Sequence, residues 1–297
     1  MLTKQQEETL RYFNQEASRW SEEASLKSPS QLNLTECRNN YVLEVIERMR
    51  EVRSALDVGC GSGELVRDIA RKNIQATGID CAENMIKIAL EKASQEQLAN
   101  ARFVCSSFFN FSFSAGTYDV ISGNGFIEYI SFSELEQFLK LSHDGLRKGG
   151  SLVLGSRNRL FNALSLNDFT ETEIQGGTIS FLLRESMALV SGASVGQLLQ
   201  VETPPFQRET IRQMDTGVHV SVRYQYTPAQ LTKLLTAKGY CVTDLYPIHI
   251  HGVVPMFGNQ NPQVHQGITS MLQVFAPKNP SLIPCASTFM ICATRED

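Results

Sequence analysis

The chain has no block of five or more consecutive lysines and arginines, so a broad electrostatic grip on nucleic acid is not expected. No apolar stretch approaches the ~18 residues that a membrane-crossing helix needs. No CxxC pair occurs. The seven cysteines (Cys37, Cys60, Cys81, Cys105, Cys241, Cys285 and Cys292) are odd in number and scattered, which argues against a disulfide framework. The N-terminal segment MLTKQQEETLRYFNQEASRW lacks the apolar core of a secretory signal. Internal repeats and low-complexity tracts are also missing. These absences predict a reduced, cytoplasmic protein with no nucleic-acid partner and no membrane span. Cys60 and Cys105, in or beside predicted strands, are expected to be small apolar fillers. What remains is ordinary globular composition: 297 residues, 42% apolar and 20% charged, with a net charge of −4. That length suits one large domain or a domain with an inserted cap.

Hydrophobic spacing divides the chain. Leu10, Phe13, Ala17, Trp20 and Ala24 recur at helical intervals and predict one amphipathic helix over 3–24, with a second over 35–50. From residue 51 short apolar strands alternate with helices. Strands are expected at 55–58, 76–80, 102–105, 118–122 and 151–155, the last entered by a turn at Gly149-Gly150. Helices are expected at 64–72, 83–93 and 133–146. This rhythm implies crossover connections, a parallel sheet and helices on both faces. It stops at 156 and resumes at Thr227, an N-cap followed by Pro228, with further strands at 240–250 and 287–294. The chain therefore reads as an N-terminal helical lid (1–50), a core (51–156 and 227–297) and an inserted substrate cap (157–226). A second insertion, 251–284, precedes the last strand.

The strongest chemical signal is Leu56-Asp57-Val58-Gly59-Cys60-Gly61-Ser62-Gly63. Three alternate glycines close a strand and open a helix, which needs positive backbone torsions and leaves room for a ligand at the main chain. Glu64 stands where a dinucleotide fingerprint has its third glycine, and no Gly-Lys-Ser/Thr of a phosphate loop follows. Asp57, at the tip of the first strand, repels pyrophosphate and suits a cation. Asp80, ending the second strand, can accept two bonds from a ribose diol. A phosphate-free, positively charged adenosine derivative satisfies both.

In these residues the chain resembles the class I S-adenosylmethionine (SAM)-dependent methyltransferases. The resemblance runs over about 51–156 and returns at 227–250. It implies an α/β fold with a doubly wound, mostly parallel seven-stranded sheet carrying an inserted cap, and SAM as cofactor with S-adenosylhomocysteine as product. It implies that Asp57, Gly59, Cys60, Gly61 and Gly63 surround the methionine part, that Asp80 holds the ribose, and that Cys81 and Met85 line the adenine. The family often has an acid where Ser107 stands. A hydroxyl or the Phe108 N–H would then replace that acid's contact with the adenine. Asn124 falls in the loop that faces the sulfonium, where the usual Glu-His ending reads Glu128-Tyr129. Upstream, 33–38 is loosely similar to quinone-type O-methyltransferases, in which an arginine, here Arg38, pairs with the cofactor carboxylate.

Methyl transfer to a hydroxyl needs a base poised near neutral pH unless the acceptor is already acidic. His249 and His251, at the end of the sixth strand, and His219, in a strand-like run after the cap, are the candidates. A His-X-His pair also suits a metal, but with no third ligand nearby in sequence none is expected. Arg157 and Arg159, leaving the fifth strand, are placed to clamp an anionic acceptor, and Phe161 to line its pocket. The expected function is methylation of a small molecule at oxygen. Nitrogen or carbon acceptors, a non-catalytic SAM-binding subunit and a nicotinamide dehydrogenase are the alternatives.

Overall fold

The computed structural model describes residues 4–26, 32–207, 220 and 223–296. Among these residues the strands form one seven-stranded sheet in the order β3-β2-β1-β4-β5-β7-β6. They are β1 (Ser54–Val58), β2 (Gln75–Asp80), β3 (Ala101–Cys105), β4 (Tyr118–Asn124), β5 (Leu146–Arg157), β6 (Tyr240–Ile250) and β7 (Ala286–Arg295). All neighbours run parallel except β7, which is antiparallel to both β5 and β6. The order reverses between β1 and β4, and ligands of open α/β sheets bind in the crevice outside the strands' carboxyl ends at such a point.

Alternation along each strand builds the two cores. Leu56, Val58, Ile121, Leu152, Leu154, Phe289 and Ile291 enter one apolar cluster; Ala55, Val120, Val153, Met290 and Cys292 enter the other. The second cluster is covered by α3 (Leu34–Arg48), α4 (Glu64–Arg71) and α5 (Glu83–Gln95). The first is covered by α6 (Phe132–Gly145) and α11 (Pro228–Ala237), the latter started by a Thr227 capping box with Pro228 at its first turn.

Several expectations shift. The single helix over 3–24 is two, α1 (Lys4–Gln15) and α2 (Ala17–Ser25), broken at Glu16, which has left helical geometry. Gly149-Gly150 lies within β5, where the pairing with β4 changes register between Tyr118 and Val120. Cys105 is exposed and fills no core, whereas Cys60 is buried. The cap region holds α7 (Asn162–Ser165), α8 (Asp168–Gln175), α9 (Ile179–Val190) and α10 (Val195–Leu198). The second insertion is also helical, with α12 (Pro255–Gln260) and α13 (Pro262–Gln273). Among the described residues no helix is long and apolar enough to cross a membrane.

Candidate active site

β1 ends at Val58, and the chain turns through three glycines with positive φ: Gly59 at +73°, Gly61 at +51° and Gly63 at +79°. Their surroundings differ. A Cβ on Gly59 would press on the Phe126 ring at 3.3 Å. One on Gly61 would meet nothing nearer than the Met85 sulfur at 4.0 Å, so this position is the open one. One on Gly63 would sit 2.5 Å from the Phe103 ring and 2.9 Å from Ala89. Gly63 therefore allows α4 to start hard against β3 and α5. It does not line the cavity, which corrects its expected role at the ligand.

That cavity, about 870 Å³, opens over the carboxyl ends of β1, β2 and β4. Asp57 is buried in its floor and accepts a 2.6 Å hydrogen bond from the Ser122 hydroxyl. Burial pushes its carboxyl up to about 7, and the nearby acids Asp80 and Glu64 add to the rise. Asp80 accepts from the backbone N–H of Gly61 at 3.0 Å and of Ala82 at 2.8 Å, one on each oxygen. A carboxylate has about four lone-pair sites, so acceptor capacity remains for a diol. Cys60, Cys81, Met85, Ser107 and Phe108 line the same end, and Ser107 also caps a short turn by accepting from the Phe109 N–H at 3.3 Å.

The roof is α1–α2. Phe13 and Trp20 belong to the helix stripe and also line the cavity, while Tyr12 is buried edge-on against Phe13 and is not in the lining; an apolar stripe did not separate packing from lining. The Trp20 indole N–H and the Asn124 carbonyl oxygen are buried without a hydrogen-bond partner, and both residues line the cavity. The Asn124 amide nitrogen donates to Asn39 at 3.2 Å.

The far end is cationic. Arg38, Arg157 and Arg223 line it together with the buried carboxylate of Glu128, to which the Arg223 Nε donates at 2.8 Å. The Arg223 guanidinium also lies 5.3 Å from the centre of the Tyr129 ring. Burial, with Arg223 adding repulsion, lowers Arg157 to about 10. The Nε atoms of Arg38 and Arg157 are buried and unpartnered. Glu128, Tyr129 and Arg223 were not anticipated as a unit. The available signal was an acid in the loop after β4, which burial obliges to find a cation.

Two of the proposed acceptor residues lie elsewhere. Arg159 is buried in the cap, where it donates to the Glu173 carboxylate at 2.8 and 2.9 Å and to the Pro205 carbonyl at 2.7 Å. It holds α8 in place and does not clamp a ligand. Phe161 is absent from the cavity lining and packs on the His251 ring with centroids 4.5 Å apart. His219 lies outside the described residues.

His249 and His251 do line the cavity. Burial lowers both, His249 to about 4 and His251 to about 3, so near neutral pH they are uncharged and only weakly basic. The absent third ligand is present in space: His265 of α13 joins them, and one ring nitrogen from each of the three lies within 4.8 Å of the others. Sequence spacing gave no hint of this, because α13 must first fold back onto β6.

Residues 55–150 match the family description "Methyltransferase domain". A ubiquinone biosynthesis O-methyltransferase of Coxiella burnetii is 28% identical over 156 residues, which is 52% of this chain and 64% of that protein. The chain thus spans less than two thirds of that relative's length. Among solved structures, a SAM-dependent methyltransferase from Methanosarcina mazei superposes with a TM-score of 0.55 at 16% identity, covering 85% of this chain and 97% of the other. Phosphoethanolamine N-methyltransferase 2 of Haemonchus contortus, in complex with SAM, gives 0.54 at 14% identity, covering 96% and 57%.

Proposed function

Because the chain is a class I SAM-dependent methyltransferase by domain and fold, we propose that it methylates an oxygen of a small acceptor that is anionic or readily ionised. The observation that carries this reading is one continuous cavity. It runs from the carboxylate of Asp80, past the open face of Gly61, to Arg157, His249 and His251.

The donor set fits SAM: a diol acceptor at Asp80, an acid for a cation at Asp57, and unpartnered polar atoms on Asn124 and Trp20. In this reading Arg38 pairs with the cofactor carboxylate. When bound, SAM supplies an electrophilic methyl carbon on a cationic sulfur, which departs as a neutral thioether while the acceptor oxygen forms the new bond. The chain's task is to align the partners and exclude water, because opposite charges vanish along that path. Arg157 and Arg223 stabilise an oxyanion and disfavour an ammonium acceptor. His249 and His251, neutral and only weakly basic, take no full proton from a weakly acidic alcohol. A phenol or carboxylate acceptor is the match, and the name of the Coxiella relative points to oxygen as well.

The test is SAM binding and turnover with a panel of phenols, carboxylic acids and amines, reading S-adenosylhomocysteine and the methylated product by mass. Oxygen methylation of an acidic acceptor is expected. Asp80→Ala, checked for folding, should weaken SAM binding by at least ~1 kcal/mol through the lost ribose bonds. Unchanged affinity, or turnover with amines alone, would overturn the reading.

A further inference from the structure

We propose that His249, His251 and His265 form a site for a divalent transition metal of the Zn²⁺ class, with its open coordination position turned toward the acceptor end of the cavity. As a metal site it stands independently of the function proposed above; its link to the acceptor rests on that reading.

His249 and His251 stand at the end of β6 and His265 on α13, and the three rings stack closely. Centroids are 4.3 Å apart for His249–His251, 4.8 Å for His251–His265 and 5.8 Å for His249–His265. Both ring nitrogens of His251 and the Nδ1 of His265 are buried without a hydrogen-bond partner. An orphaned buried imidazole is costly, and a cluster of them more so. His249 differs in a useful way: its Nδ1 is 2.8 Å from the Ser287 hydroxyl, which fixes the ring and leaves Nε2 for a ligand. Such an outer contact is characteristic of metal-binding histidines. Its backbone is held too. His249 has a φ of +59°, rare for a residue with a side chain, and its N–H donates to the Gln273 side chain at 2.9 Å. Gln273 in turn donates to the Pro247 carbonyl at 2.9 Å, tying α13 to β6 at the histidine and two residues before it.

Two glycines make the convergence possible. A Cβ on Gly252 would lie 2.2 Å from Ile268, so α13 reaches β6 only because residue 252 has no side chain. A Cβ on Gly258 would lie 3.0 Å from the His265 ring, so α12 gives that ring its seat.

The chemistry selects the metal. Three neutral imidazoles suit Zn²⁺, Co²⁺ or Ni²⁺, whereas Mg²⁺ and Ca²⁺ prefer oxygen ligands. The nitrogens, now within 4.8 Å, would have to close to about 3.3 Å for tetrahedral bonds of ~2.0–2.1 Å, a shift within the reach of side-chain rotation. Three neutral ligands leave the full double charge in place. The fourth ligand should therefore be an anionic oxygen. His249 and His251 border two spaces: the large cavity and a second one of about 530 Å³ that also contains His265. A metal held between them would present that open position to an acceptor oxygenate.

The experiment uses untagged protein stripped by a chelator and titrated with Co²⁺, followed by its visible absorption and by calorimetry, with Zn²⁺ as competitor. One equivalent with a four- or five-coordinate spectrum is expected. Affinity should fall at least tenfold in both His251→Ala and His265→Ala, and His265→Ala should still bind S-adenosylhomocysteine as the parent does, showing that it folds. No stoichiometric uptake by the parent, or uptake undiminished in both variants, would overturn the proposal and leave the imidazoles as a packed stack. S-adenosylhomocysteine binding without Co²⁺ binding would fail the metal site alone. Co²⁺ binding without S-adenosylhomocysteine binding would fail the methyltransferase reading alone.

Discussion

At the scale of single residues, Asp57 shows how a binding group can burden the free protein. Its folded value of about 7 lies far above the ordinary 3.8. Between those values the folded chain binds more protons than the unfolded one, so raising the pH across the window removes stability. Above about 7 the free protein carries a buried carboxylate supported by one hydroxyl bond from Ser122. A cationic ligand beside Asp57 would favour ionisation, release a proton near neutral pH and bind more tightly as pH rises toward 8. Asp57→Asn should therefore raise the melting temperature of the free protein by several degrees at pH 8 and by little at pH 5, while weakening SAM binding. Thermal melts at both pH values, with calorimetry in buffers of different ionisation enthalpy, measure these effects. A variant with the parent's pH slope in melting temperature would refute this account of Asp57.

At the scale of elements, the strand–turn–helix unit around 55–71 was legible because all its information is local. An apolar strand, a glycine turn and an amphipathic helix follow one another without interruption. Assigning roles within the turn was harder, since three glycines that look alike in sequence face different neighbours. Gly61 opens on the cavity, whereas Gly63 is wedged between Phe103 and Ala89. Both have positive φ, so alanine is strained at either place, but the consequences should separate. Gly63→Ala should be the more destabilising, by at least about 2 kcal/mol beyond Gly61→Ala, because helix and sheet must part to admit its methyl group. Gly61→Ala should retain most of the stability and lose cofactor affinity instead. Urea unfolding and calorimetry on the two variants test the division, and equal losses of stability would refute it. The cap was opaque for a related reason. Arg159 reads as a free loop cation until α8 places the Glu173 carboxylate against it.

At the scale of the whole molecule, the cavity joins pieces remote in sequence: the roof from α1–α2, the floor from β1 and β2, and the acceptor end from β5, Arg223 and β6. The cofactor half was largely readable, because Asp57, Gly61, Asp80 and Met85 lie within one βαβα stretch. The acceptor half was readable only in part: Arg157, His249 and His251 stand out at strand ends, whereas Arg223 and His265 join them only through tertiary folding of the two insertions. The roof, made of the two N-terminal helices, carries a built-in reporter. Trp20 is the only tryptophan of the chain, lines the cavity and has an unpartnered indole N–H. The roof rests on α5 through a small apolar cluster containing Ala17 and Met85 and through polar ties such as Lys92 Nζ donating to the Ser21 hydroxyl at 2.6 Å. A ligand filling the space beneath it changes the indole's surroundings directly. Saturating S-adenosylhomocysteine should therefore shift or quench the intrinsic emission, with a midpoint matching the calorimetric affinity. Trp20→Phe should abolish the signal and weaken binding about two- to tenfold, the worth of one net hydrogen bond. Binding seen by calorimetry with unaltered emission would mean that the roof does not meet the ligand, and the cavity would then have to be divided between two separate sites.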